Sequence, residues 1–200
     1  MKKIFPLLLI VGGGFLILFS VWQIWQADRL QAKAIQEAKE KVTSSSQKQQ
    51  NSQANETEAV EFHADQGDVI GILKIPSLDR ELPIVAGVEE DELQRGVGHY
   101  PGTAYPGQES QIVLSGHRDT VFRQFGELEI GDSFIVEMPY GSFEYTIQDS
   151  EIVPEDDLTV INPEEYQEEM LTVTTCYPFH YIGNAPDRYI LYATPLKDKE

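Results

Sequence analysis

Cys176, the chain's only cysteine, ends a run rich in β-branched residues, and Arg188 opens the next such run. Between them, Tyr177 to Asp187 holds Pro178, Gly183, Asn184 and Pro186, which form turns rather than strand interior. If the two runs pair as a hairpin, thiol and guanidinium face one another at one edge of a sheet. By residue type alone a single cysteine is more often a small buried hydrophobe. Its place at a strand terminus, before Tyr177-Pro178, and a nearby cation instead favour a nucleophilic thiolate.

That chemistry needs a proton carrier, and the chain has four histidines. His117 leaves the short apolar run Gln111 to Ser115 in the turn Gly116-His117-Arg118-Asp119, so it shares the cysteine's kind of position. His63 sits in an acidic, weakly patterned stretch and His99 in a loop between glycines and a proline. Both read as surface residues. His180 shares the cysteine's loop but has no strand to fix it.

Ser115-Gly116-His117-Arg118-Asp119-Thr120, Thr172-Val173-Thr174-Thr175-Cys176-Tyr177-Pro178-Phe179 and Ala185-Pro186-Asp187-Arg188-Tyr189 resemble the three signature segments of the sortases, cysteine transpeptidases of Gram-positive surfaces. The wording around Cys176 and Arg188 is most similar to class D. The resemblance runs from Gly71 to Ala193, and its one visible departure is Val173 where the family usually has Leu. It implies cleavage of an LPxTG-like sorting signal after the Thr and transfer of the secreted protein to a cell-wall amine. It also implies Cys176 as nucleophile, His117 as general acid and base, Arg188 as the group that stabilises substrate or oxyanion, and Thr175 as a substrate-positioning neighbour. The apolar lining of the barrel is expected to hold the Leu-Pro part of the signal. No cofactor is expected. Another class of the family uses loop carboxylates for calcium, and the acidic runs here leave that metal open, although no EF-hand spacing is present.

The elements that must position these residues follow a long N-terminal preamble. Ile4 to Trp25 carries no charge over 22 residues and ends in Trp22 and Trp25, which suits a membrane span behind a short tail of residues 1–3. Ala32-Lys33-Ala34 lies too far past the apolar stretch to be a signal-cleavage site, so an uncleaved anchor is expected. Flanking lysines and arginines do not decide its orientation, and the catalytic domain is placed outside the cell by its function alone. Residues 26–57 read as a stalk and spacer: Asp28 to Val42 is helix-forming with a thin apolar face, and Thr43 to Thr57 is rich in Ser, Gln and Asn.

From residue 58 to 200 the pattern is all-β. Val69 to Ile75, Leu82 to Ala86, Gln111 to Ser115, Asp132 to Met138, Ser142 to Gln148, Leu171 to Cys176 and Arg188 to Thr194 are strand-like, with turn signals between them. A closed barrel of seven to eight strands is expected, with short helices at Glu89 to Arg95, Val121 to Leu128 and Pro163 to Met170.

Of 33 acids only four precede residue 58, against seven of the 15 Lys and Arg. The domain therefore has 29 acids and 8 bases, a net of −21. That sign disfavours nucleic acid as a partner. One cysteine also excludes an internal disulfide. Two rival readings are a cell-wall cysteine peptidase or L,D-transpeptidase and an inactive membrane-tethered β-domain used for binding. The separation of 59 positions from His117 to Cys176 counts against the L,D-transpeptidase, which keeps both in one short motif.

Overall fold

In the computed structural model, which describes residues 4–49, 62–181 and 183–196, eight strands close into a barrel in the order β1-β2-β3-β4-β7-β8-β6-β5. They are β1 (Val69–Ile75), β2 (Arg80–Ala86), β3 (Val97–His99), β4 (Gln111–Gly116), β5 (Ser133–Met138), β6 (Gly141–Pro154), β7 (Met170–Tyr177) and β8 (Asp187–Pro195). β5 pairs back onto β1, which removes the exposed edges of an open sheet. Most ladders are antiparallel; β2 with β3 and β4 with β7 are parallel.

Alternating residues of the strands fill the interior. Leu73, Leu82, Ile84, Ile112, Leu114, Leu171, Val173, Leu191 and Ala193 pack there around Phe122, Phe125, Phe134 and Tyr145, all buried. Each large side chain sealed in this way contributes about 1.5–3 kcal/mol relative to exposure.

Two of the three expected helices are present only in part. Glu90–Leu93 forms the short helix α2, closed by a capping box between Glu89 and Glu92, and within Val121 to Leu128 only Phe125–Glu127 winds, as a 3-10 turn. Pro163 to Met170 is not helical. Glu164, Glu165, Glu168 and Glu169 would stack like charges along a helix. Glu169 instead accepts from Tyr145 Oη (2.5 Å) and Gly107 N (2.8 Å). His99, expected in a loop, lies on β3, where it is buried and stacked on Tyr105 at 4.4 Å.

The preamble also departs from expectation. A single helix, α1, runs from Ile4 to Gln49, so part of the expected spacer is helical; residues 50–57 lie outside the described residues. The thin apolar face of α1 is a docking face. Ala34 and Ala38 are buried against Val69, Ile72 and Val85 on the outside of β1 and β2, with Ile35 and Val42 beside them. Small side chains let the helix approach the sheet closely. Lys39 pairs with Glu81 at 2.6 Å, and Lys41 Nζ donates to Val69 O at 2.9 Å. Both acid and base of the pair are well exposed, so it adds at most about 1 kcal/mol. Among the described residues no helix is long and apolar enough to cross a membrane. The side chains of residues 4–11 and 23–25, which belong to the expected span, lie outside the described set.

Candidate active site

β7 lies between β4, to which it is parallel, and β8, to which it is antiparallel. Its side chains alternate: Leu171 and Val173 enter the core, while Thr172 and Thr174 face outward into a groove of about 200 Å³. The same parity holds on both neighbours. Val113 and Ser115 of β4 and Arg188 and Ile190 of β8 line the groove, whereas Ile112, Leu114 and Leu191 are core. The groove therefore lies on the outer face of the sheet, whereas the barrel interior, expected to hold the Leu-Pro part of the signal, is filled by the core side chains. Its other wall is the connection from β6 to β7, through Glu155, Asp157, Leu158, Val160 and Ile161.

Cys176 follows Thr172 and Thr174 by the same step of two and is a partly exposed free thiol. In the β7–β8 ladder its partner is Arg188. The parallel β4–β7 ladder ends at Gly116 opposite Thr175, so the next residues along the two strands are His117 and Cys176. Register thus brings Cys176, His117 and Arg188 to neighbouring positions on three adjacent strands, and Arg188 of the three lines the groove. The three lie far apart in sequence.

Local chemistry holds each in place. A Cβ on Gly116 would stand 2.5 Å from the Phe122 ring, so glycine is required where the chain turns out of β4 into His117. The turn closes with Phe122 N donating to His117 O at 3.1 Å. The imidazole is 35% exposed, and its Nε2 lies 3.5 Å from Glu90 Oε2 at the start of α2. Arg188 donates through Nη1 to Ala185 O (3.2 Å) and Asp187 O (3.0 Å), and through Nη2 to Glu155 Oε2 (3.3 Å) on the opposite wall. After Cys176, a cis Tyr177–Pro178 bond leads into Phe179, whose ring fills the space that a side chain at position 126 would need.

Thr175 does not have the position its expected role requires. It is 2% exposed, and its hydroxyl donates to Gly116 O at 2.7 Å. It braces the strand that carries His117 against the strand that carries Cys176. Of the other histidines, His63 and His180 are exposed. Burial pushes the His99 imidazole below its usual range, and its Nε2 sits 2.8 Å from Ala104 O, away from the groove.

Sequence reasoning missed several residues that shape the site. Gln111, 0% exposed, donates to Val160 O (2.7 Å) and Thr172 Oγ1 (2.9 Å) and accepts from Asn162 N (2.9 Å), which pins the far wall onto the sheet. Glu155, Glu90 and the buried Arg118 belong to the same group. Their charge alone would have assigned them to the surface, and their partners are distant in sequence. Among the described residues no cluster of three or more His, Cys, Asp or Glu could hold a metal ion.

A β-barrel whose register sets a free thiol opposite an arginine and level with the turn that carries a histidine, beside an external groove, suits acyl transfer through sulfur. Comparison with known proteins makes the class specific. The family model described as the sortase domain matches residues 73–196. The chain is 42% identical to sortase D of Bacillus subtilis over 194 residues, covering 96% of this chain and 98% of that protein. This chain belongs to the sortase family of cysteine transpeptidases.

Solved structures agree. The catalytic domain of Bacillus anthracis SrtD is 38% identical, with a TM-score of 0.57 over 71% of this chain and 97% of that one. Sortase E1 of Streptomyces coelicolor, solved with a tripeptide in its active site, is 28% identical, with a TM-score of 0.59 over 67% and 92%.

Proposed function

We propose that this protein is a class D-like sortase that cleaves an LPxTG-like signal after its Thr and transfers the secreted protein to an amine of a cell-wall precursor. The Cys176 thiolate adds to the Thr carbonyl carbon. Arg188 donates to the oxyanion or to the substrate backbone, a task for a cation that stays protonated. His117 gives a proton to the leaving amine, and the C–N bond breaks to leave a thioester on Cys176. The incoming amine then attacks the thioester, its proton passes to His117, and the thiolate is released. The observation that carries this reading is the register that sets Cys176 opposite Arg188 and one step beyond the Gly116–Thr175 pair.

The groove supports an extended ligand with an apolar portion. Val113, Leu158, Val160, Ile161 and Ile190 line it away from the charged end.

The membrane anchor belongs to the same proposal, with residues 4–25 as a single span and the catalytic domain outside the cell. Its support is the uncharged stretch itself and the surface of α1. Phe15, Leu16, Ile17 and Leu18 are consecutive, so they point around the whole helix, and each is 64–71% exposed. An all-round apolar surface is stable in lipid and costly in water.

The test is the full chain in detergent micelles with an LPxTG-type peptide, with and without hydroxylamine as the probe amine, read by product mass. Cleavage between Thr and Gly with the acyl part carried onto hydroxylamine is expected, and Cys176→Ala abolishes it. Continued cleavage by Cys176→Ala, or water taking the acyl group at every amine concentration, would overturn the reading.

A further inference from the structure

Arg118 follows His117 directly, and although permanently charged it is only 6% exposed. Its guanidinium reaches in two directions. Nε and Nη2 donate to the Asp119 carboxylate at 3.1 and 3.2 Å, while Nη1 donates to Pro178 O at 2.6 Å and Nη2 to Tyr181 O at 2.9 Å. Both carbonyls belong to the loop that leaves Cys176. One side chain therefore ties the turn carrying the imidazole to the segment that follows the sulfur.

The charge needs its own explanation. Two loops can be tied by a neutral amide, whereas covering a cation carries a desolvation cost that a neutral donor largely avoids. The counter-charge on Asp119 is 76% exposed, so solvent screens it, while the guanidinium is covered on the side of the loop. Arg118 titrates higher than an ordinary arginine, chiefly through its hydrogen bond to Asp119, and negative charge on Cys176 adds to that rise. The geometry agrees: the guanidinium donates to Pro178 O, two residues past Cys176, from a residue next to His117 in the turn that stands beside the cysteine's strand.

We propose that Arg118 is a positioning residue for transpeptidation, strapping residues 177–181 to the His117 turn and holding a fixed positive charge beside the sulfur in addition to that of Arg188. This rests on Cys176 as the nucleophile. The strap sets where the thiol stands relative to the imidazole, and the charge favours the anionic sulfur that attacks the substrate carbonyl. The groove residues that grip the peptide are separate from it. Loss of Arg118 therefore acts on kcat and leaves KM nearly unchanged.

The experiment uses the full chain in detergent and two small alkylating probes, neutral iodoacetamide and anionic iodoacetate, whose rate ratio at Cys176 reports local positive charge. Arg118→Gln is expected to lower kcat by about tenfold or more with KM within about twofold, and to lower the iodoacetate-to-iodoacetamide ratio severalfold. Arg118→Lys, which keeps the charge but cannot reach two carbonyls at once, restores the ratio and only part of kcat. Asp119→Asn, at an exposed site that leaves Arg118 in place, raises the ratio about twofold and keeps the test open however Arg118→Gln folds. An unchanged ratio in Arg118→Gln and Asp119→Asn, or the same fall in Arg118→Lys as in Arg118→Gln, would overturn the proposal and leave a purely structural strap. Failure of the underlying reading looks different, since Cys176→Ala would then still turn over peptide.

Discussion

Replacing Thr175 by valine removes one hydroxyl and changes almost no volume, at the point where the β4–β7 ladder joins the strands of His117 and Cys176. Thr175 Oγ1 donates to Gly116 O at 2.7 Å from a site 2% exposed, so valine leaves a buried carbonyl short of a partner. That loss costs about 1–3 kcal/mol, partly offset by about 0.8 kcal/mol for the added methyl group. A net of about 1 kcal/mol lowers Tm by about 3–5 °C in a domain of this size. With an ordinary folding stability of about 5–15 kcal/mol the variant remains folded at 25 °C, so any change in turnover arises within the native state. Thermal unfolding and steady-state peptide cleavage are measured together on wild type, Thr175→Val and Thr175→Ser. Valine is expected to lower both Tm and kcat with KM unchanged, and serine, which keeps the hydroxyl, to recover most of both. A rise in KM with kcat and Tm intact would refute the brace and return Thr175 to direct contact with substrate.

Three further outcomes follow from the same geometry. Glu155→Gln releases Arg188 from the opposite wall; the two side chains, Arg188 and Glu155, are 32% and 45% exposed, so Tm should move little, within about 1 kcal/mol of stability, while kcat/KM for a peptide changes by severalfold and becomes less dependent on salt. Ala38→Arg forces a long charged side chain into the contact with Val69, Ile72 and Val85, and hydrogen exchange should show α1 losing protection around residues 34–42 while peptide cleavage in micelles continues; unchanged protection there would mean that the helix is not docked. Burial holds His99 neutral in the folded state, so below about pH 6.5 the unfolded chain binds the extra proton and stability falls as pH falls, by up to about 1.4 kcal/mol per pH unit. His99→Phe, which keeps a ring on Tyr105, should flatten that part of the Tm-against-pH curve, and an unaltered slope would assign it to other groups.

The strands were readable where β-branched residues alternate with breakers, and β1, β2, β4, β5, β7 and β8 lie within a residue or two of the runs that announced them. β3 was not: Val97-Gly98-His99 is too short to show a period and has glycine at its centre. The far half of β6, Asp149 to Pro154, lies beyond the strand-like run Ser142 to Gln148, yet it is held by a long ladder with β8. The hairpin that opposes Cys176 and Arg188 was legible because both flanks of a turn-rich loop are strand-like. Its parallel partner was less so, since a crossover through β5 and β6 separates β4 from β7 and sequence pattern says nothing about which strands meet.

What escaped altogether were residues whose meaning depends on a distant partner. Ala34 and Ala38 look like ordinary helix formers until a sheet lies against them. Gln111 is one amide in an apolar strand until the connection carrying Val160 and Asn162 folds over it. Thr175 was read through its neighbour Cys176, but period-two alternation puts it on the opposite face of β7, buried beneath the ladder. Arg118 stands beside a histidine in a turn, where an arginine is normally solvated, and only the loop returning from Cys176 encloses it.

The central claim is that an acyl group passes through the sulfur of Cys176, and mass spectrometry of the intact chain mixed briefly with excess sorting-signal peptide tests it most directly. A single adduct of the peptide's acyl mass, mapped to Cys176, absent in Cys176→Ala and discharged within the turnover time by added amine, is the predicted result. Product formation at full rate with no such adduct, or an adduct on another residue, would contradict the account.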